Sequence, residues 1–90
     1  MFHVEAIIQN DDGIHCRPST MIIKHIGDYP GRVDICLNGS RVDARSMLGL
    51  LSLGLSKGTA LVIEVEGPNE EELAQGLKIL FETHFDFPRP

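Results

Sequence analysis

Three segments of the chain alternate between apolar and polar residues with the two-residue period of a β-strand that has one buried face. These segments are 2–8, 32–37 and 60–67. Between the second and the third, Asn38-Gly39 is a strong signal for a tight hairpin turn, and it predicts a further strand over roughly 40–43. Four strands are therefore expected, two of which pair across that turn.

Three other segments repeat apolar residues at helical spacing. The first covers residues 16–26, with Pro18 in its first turn and Gly27 as its terminator. The second lies within "SMLGLLSLGLS". The third is predicted to follow Asn69, as the N-cap, with Glu72 where a capping-box acid would reach back. Its buried stripe is expected to contain Leu73, Leu77, Leu80 and Phe81.

The predicted order of elements is βαββαβα. Strands with one polar face indicate a sheet that helices cover on a single side, which is an α+β open-faced sandwich. At 90 residues the chain is long enough for one compact core and too short for two. We expect one domain over residues 1–85 and a short tail, 86–90, that contains two prolines.

Composition and charge limit the classes of partner and location that are expected for the chain. With 42% hydrophobic and 23% charged residues, the chain falls among globular proteins. Its net charge of −5 opposes binding to nucleic acid or to an anionic membrane, and no apolar run is long enough to cross a bilayer. A cytoplasmic location is expected. Cys16 and Cys36 form no disulfide pattern, so both thiols are expected to be reduced.

The segment "GIHCRPST" places His15 at or just before the start of the first helix, where backbone N–H groups lack acceptors and bind anions. Arg17 adds a guanidinium suited to phosphate oxygens. The helix dipole and Arg17 would both favour neutral imidazole, a nucleophile able to accept a phosphoryl group. Lone histidines are also common in loops, and the local chemistry by itself does not name a reaction.

"GIHCRPST" resembles the active-site signature of HPr, the histidine-containing phosphocarrier family of the sugar phosphotransferase system. "ARSMLGLLSLGLSKGTALVIEVEG" resembles the second signature of that family, around its regulatory serine. The resemblance extends over about residues 1–85. It implies a four-stranded antiparallel sheet with three helices on one face, in agreement with the order predicted above.

The resemblance also implies residue roles. His15 would be the phosphorylated nucleophile, Arg17 its phosphate partner, and Pro18 the residue that shapes the phosphate-binding helix start with Cys16 and Arg17. The phosphoryl group would come from enzyme I and pass to IIA components of sugar transporters. The chain would then be a relay protein without its own turnover substrate. We expect a monomer with no metal and no cofactor.

Apolar residues of the second helix cover roughly 220° of its circumference, more than a surface helix usually buries. One interpretation is a helix covered by its neighbours on three sides. The other is a docking surface for partner proteins, for which Met47, Leu48 and Leu51 are the candidates.

Ser46 precedes this helix and is predicted to be its N-cap. The resemblance adds a second role, because family members regulated by HPr kinase/phosphorylase are phosphorylated on the serine at this point. A phosphate there would be stabilised by the helix start and by Arg45, and its charge would oppose docking of an acidic partner.

Two residues near His15 depart from the family pattern. Asp12 would raise the pKa of His15 and repel a bound phosphoryl group. The thiol of Cys16 would be acidified and oxidisable at a helix start, or it is simply a small side chain that the position tolerates. A metal site that uses His3, His25 and His84 with the active-site segment is a further alternative.

Two other functions remain open at the level of sequence. The chain would act mainly as a regulator, through phosphorylated Ser46 and a transcriptional regulator. Alternatively, it is a ferredoxin-like domain that binds a small molecule, an interpretation that leaves His15, Arg17 and Pro18 unexplained.

Overall fold

The computed structural model describes residues 1–9 and 16–82, and for residues 16–18 it describes the backbone alone. The elements, in chain order, are β1 (Phe2–Ile7), α1 (Cys16–Ile26), β2 (Arg32–Leu37), β3 (Ser40–Asp43), α2 (Met47–Ser52), β4 (Ala60–Glu66) and α3 (Glu70–Phe81). The predicted order βαββαβα is confirmed. The predicted tail, 86–90, lies outside the described residues.

The four strands form one antiparallel sheet in the order β1-β4-β2-β3. β4 lies inside the sheet, where Ile63 pairs with Val4 of β1 on one side and with Ile35 of β2 on the other. β1 and β3 are the two edge strands. All three of these paired residues point to the same face, which fixes the register of the sheet by burial.

The turn between β2 and β3 is the one that Asn38-Gly39 predicts. Both residues have positive φ, 50° and 84°, as a type I′ turn requires, and Leu37 pairs with Ser40 across it. The local sequence therefore determines this hairpin.

The hydrophobic core lies between the sheet and the helices. α3 packs on β1 and β4, and α1 packs on both α3 and α2. Among the described residues, the largest fully buried side chains are Phe81, Ile8, Ile22, Ile35, Leu50, Leu61, Ile63, Leu77, Val33 and Val65. Each contributes about 1.5–3 kcal/mol through removal from water.

The opposite face of the sheet carries a network of charges. Asp34 of β2 is 7% exposed, and its carboxylate forms a salt bridge with Arg32, 3.3 Å from Nε, and accepts a hydrogen bond from Arg41 Nη1 at 3.0 Å. Arg41 of β3 also pairs with Glu64 of β4, across the intervening β2. The two arginines cover Asp34, so a residue that alternation assigns to the polar face is in fact buried there.

The start of α3 differs from the prediction. Asn69 adopts the left-handed conformation, with φ 53° and ψ 36°, and its side chain makes no capping hydrogen bond. Side-chain capping requires an extended N-cap residue, so this backbone conformation prevents it. Glu70, not Glu72, reaches back: its Oε2 accepts from the N–H of Gly67 at 3.3 Å. The predicted buried stripe is present, with Leu77 and Phe81 fully buried.

No helix within residues 1–9 and 16–82 is long and apolar enough to cross a membrane.

Candidate functional site

The first part of the candidate site is the start of α1. This helix begins at Cys16, so its first residue directly follows position 15 in the chain. An 11-residue helix presents unpaired N–H groups and the positive end of its dipole at this point. His15 and Asp12 lie outside the described residues, as do the side chains of Cys16, Arg17 and Pro18.

Ser19 adds a polar group that the sequence pattern does not single out. It lies in the first turn of α1, is 0% exposed, and its hydroxyl has no hydrogen-bond partner among the described residues. A buried hydroxyl usually has a partner, because leaving it unpaired costs about 1–3 kcal/mol. A serine among polar neighbours gives no sign in sequence that it is buried.

The second part is α2, which packs against α1. Ser46 has φ −95° and ψ 111°, and its Oγ accepts from the N–H of Gly49 at 3.0 Å. The predicted N-cap is therefore confirmed. A Cβ on Gly49 would lie 3.1 Å from the Ser46 Oγ, so the small residue at this position fits closely beside the cap.

The apolar residues of α2 divide between core and surface. Leu50 is fully buried, whereas Leu48 is 79% exposed, and Met47 and Leu51 are half-buried. The helix ends at Ser52, so the later leucines belong to the loop that follows. The expectation that the broad apolar surface leaves some leucine exposed is confirmed, and docking through Met47, Leu48 and Leu51 stays a prediction.

Arg45 has a structural role in the chain that carries no phosphate on Ser46. Its Nη2 donates to the carbonyl oxygens of Tyr29 at 2.9 Å and of Gly31 at 2.6 Å. A phosphate on Ser46 would therefore compete with two backbone acceptors for this guanidinium. The start of α2 is also partly occupied, because the N–H of Gly49 donates to the Ser46 Oγ.

The turn that Arg45 holds is tightly packed. The hydroxyl of Tyr29 is buried, and burial, followed by the charge of Glu70, raises the pKa of Tyr29 above its ordinary value. A Cβ on Gly67 would lie 2.6 Å from this hydroxyl, so the approach requires glycine. The sequence pattern indicates only a turn here.

The alternative of a metal site gains no support. His3 lies on the open face of β1, whereas His25 lies at the C-terminal end of α1, on the other side of the sheet. No cluster of three or more metal-binding side chains occurs among those that the structure describes. His84 lies outside the described residues.

The fold and the helix start together define a class of protein: a small open-faced sandwich with a candidate anion-binding site at the start of α1. The family model for the PTS HPr component phosphorylation site matches residues 3–83. The chain belongs to the HPr family of phosphocarrier proteins of the phosphotransferase system.

Individual relatives agree with this assignment. The phosphocarrier protein HPr of Cupriavidus necator is 31% identical over 85 residues, which cover 94% of this chain and 96% of the relative. The crystal structure of HPr-C-His from Thermoanaerobacter tengcongensis superposes with a TM-score of 0.83 at 30% identity, covering 90% of this chain and 91% of the other.

A second structure, HPr from Bacillus anthracis str. Ames, has a TM-score of 0.83 at 22% identity and covers 90% of this chain and 96% of the other, which supports the fold alone. These comparisons favour the phosphocarrier interpretation over the ferredoxin-like alternative.

Proposed function

We propose that this chain is a phosphoryl relay protein in which His15 accepts a phosphoryl group from phosphorylated enzyme I and passes it to IIA components of sugar transporters. A ring nitrogen of His15 attacks phosphorus, and a phosphorus–nitrogen bond forms as the bond to the donor breaks. The reverse exchange delivers the group to the acceptor. The chain undergoes no net chemical change over the cycle.

The observation that supports this function is the position of the signature "GIHCRPST" relative to α1. The helix begins at Cys16, directly after His15 in the chain. The free N–H groups of the first helical turn favour a dianionic phosphoryl group, and Arg17 supplies a second positive group at the same end. Pro18 lacks an N–H, and within the first turn this loses no helical hydrogen bond.

Phosphorylation by enzyme I tests the proposal directly. Incubation with phosphoenolpyruvate and the enzyme I of the same organism should give a phosphate that is labile in acid and stable in base. Mass spectrometry should show it on the wild type and not on His15→Ala. His25→Ala is the matched control, because His25 is an exposed histidine at the other end of α1. A His15→Ala protein that is phosphorylated like the wild type would exclude the assigned nucleophile.

We further propose that Met47, Leu48 and Leu51 form the docking surface for enzyme I and the IIA components. α2 packs against α1, so an apolar patch on α2 lies next to the helix that His15 precedes. Leu48 is the most exposed of the large apolar residues described, and its side chain gains most from burial by a partner.

Ser46 is proposed as a regulatory phosphorylation site for an HPr kinase/phosphorylase. Two neighbours support this assignment: the start of α2, where Ser46 is the N-cap, and exposed Leu48, two positions along the chain. A phosphate on Ser46 would place about −1.5 to −2 charges beside the proposed docking surface and oppose binding of an acidic partner.

In the alternative in which the chain acts mainly as a regulator, its partner is a transcriptional regulator that recognises the form phosphorylated on Ser46. For either function we expect a cytoplasmic location.

A kinase assay tests this second site. With ATP and an HPr kinase/phosphorylase, the wild type should incorporate phosphate and Ser46→Ala should not. Ser52→Ala is the control, since Ser52 is the exposed serine at the other end of α2. Equal incorporation by Ser46→Ala and the wild type would rule out Ser46 as the target.

A further inference from the structure

β1 is an edge strand, so half of its backbone hydrogen-bonding groups face away from the sheet. The N–H of Ile7 and the carbonyl oxygen of Glu5 both bind side chains of the α3 region in place of a neighbouring strand. Because hydrogen bonding alternates along an antiparallel strand, the backbone groups of His3 point to the same side. We call this row of backbone groups, on residues 3, 5 and 7, the β1 edge.

Two charged side chains cover the β1 edge near its C-terminal end. Lys78 Nζ donates to the carbonyl oxygen of Glu5 at 3.0 Å, and Glu82 Oε2 accepts from the N–H of Ile7 at 3.0 Å. Lys78 and Glu82 also bind each other at 2.9 Å. This Lys78–Glu82 clasp occupies the positions that an added strand would use. Its side chains remain 34% and 30% exposed, so it is accessible to solvent and to displacement.

The sequence along this edge is complementary to itself. In an antiparallel pair of two copies centred on Val4, the exposed side chain of His3 faces Glu5 of the other copy, and the reverse. Met1 and Ile7, which are 52% and 40% exposed, face each other at both ends. A pair centred on Glu5 would set two glutamates opposite each other, and one centred on His3 two histidines.

We propose that the β1 edge is an interaction surface for a second copy of this chain, which adds its own β1 antiparallel in the register centred on Val4. The two four-stranded sheets then join into one continuous sheet. The Lys78–Glu82 clasp keeps this surface closed, so the chain with its clasp formed is monomeric. Displacement of the clasp exposes the edge and allows pairing.

Sedimentation of a clasp-free variant tests the role of the clasp. Lys78→Ala with Glu82→Ala leaves the net charge unchanged and should lower the dimer dissociation constant by about tenfold or more, equivalent to about 1.4 kcal/mol. Lys24→Ala with Glu71→Ala also preserves net charge, removes two exposed residues that do not belong to the clasp, and should sediment like the wild type. A clasp-free protein that remains as monomeric as the wild type overturns the proposal.

Charge variants in the clasp-free background test the register. His3→Glu alone sets the introduced glutamate against Glu5 of the other copy, and Glu5→Lys alone removes the acid that His3 faces, so each should dimerise more weakly than the clasp-free parent. Mixed together, they should form a heterodimer about tenfold tighter than either homodimer, because both cross-strand pairs are then complementary. Dimers that form equally in every combination would contradict the proposed pairing. Circular dichroism confirms that each variant is folded.

Discussion

At the scale of single residues, the neighbours of Cys36 on the open face of the sheet determine the reactivity of its thiol. Cys36 of β2 pairs with Arg41 of β3 across the hairpin and lies beside Glu64. Burial raises the pKa of the Cys36 thiol above its ordinary value, the charge of Glu64 raises it further, and Arg41 opposes both. Cys36 is therefore held as a thiol, the form that resists alkylation and oxidation.

The reactivity of Cys36 is predicted to depend on Glu64. In a Cys16→Ser background, so that one thiol reports, iodoacetamide should modify Cys36 more slowly near neutral pH in the folded protein than in the unfolded chain. Glu64→Gln should increase the folded-state rate by about two- to tenfold, because each pKa unit changes the thiolate fraction tenfold. An unchanged or lower rate in Glu64→Gln would contradict the assigned cause.

At the scale of elements, two positive-φ positions have different origins. Asn38-Gly39 adopts the conformation that its own sequence favours. Asn69 is left-handed although its sequence position favours a side-chain N-cap, and its side chain makes no capping hydrogen bond. Glu70 instead accepts from the N–H of Gly67, which lies before the helix.

The conformation of the β2–β3 turn predicts how much stability is lost when Gly39 is replaced. No atom lies within 4 Å of a Cβ built on Gly39, so Gly39→Ala meets backbone strain and no clash. It should lower the free energy of unfolding by about 1 kcal/mol in urea titrations. Asn38→Gly, which preserves the turn geometry, should stay within about 0.5 kcal/mol of the wild type. Equal stability of Gly39→Ala and the wild type would argue against the type I′ turn.

Asn69 offers a test that separates conformation from capping. Serine is as good an N-cap as asparagine but tolerates positive φ poorly. Asn69→Ser should therefore destabilise the protein by about 1 kcal/mol, whereas Asn69→Gly should match or slightly exceed the wild type. Chemical unfolding measures both. If Asn69→Ser is as stable as the wild type, the side chain of Asn69 acts as a cap after all.

At the scale of the whole molecule, α2 places one leucine in the core and another on the surface. Leu50 anchors it in the core while Leu48 remains on the surface beside Ser46. In a chain of net charge −5, Leu48 lies in a segment without acidic residues, 44–63, so a partner can bury this leucine without burying a carboxylate that is close in sequence.

Substitutions of these two leucines should separate stability from binding. Leu48→Gln should change the free energy of unfolding by less than about 0.5 kcal/mol and weaken enzyme I binding by about tenfold. Leu50→Ala should cost about 2–5 kcal/mol of stability through loss of core packing. Calorimetric titration and urea unfolding measure the two effects. A folded Leu48→Gln protein that binds enzyme I normally would exclude Leu48 from the docking surface.

The sequence predicted the order of the elements because strand alternation, helical periodicity and the Asn38-Gly39 turn are all local signals. It also predicted the Ser46 cap, which needs only the N–H of Gly49 three residues away. The candidate nucleophile was likewise identifiable from one short motif. These features depend on residues that are close in the chain.

Tertiary structure decided what depends on residues far apart in sequence. The ion pair of Arg41 with Glu64 joins two strands that are not neighbours in the sheet, and the hydrogen bond of Arg45 to the turn at Tyr29 spans 16 residues. The closure of β1 by Lys78 and Glu82 joins residues more than 70 positions apart. Periodicity reports only which face a side chain points to. The packing of the sheet and the helices determines which charged residue, distant in sequence, contacts that side chain.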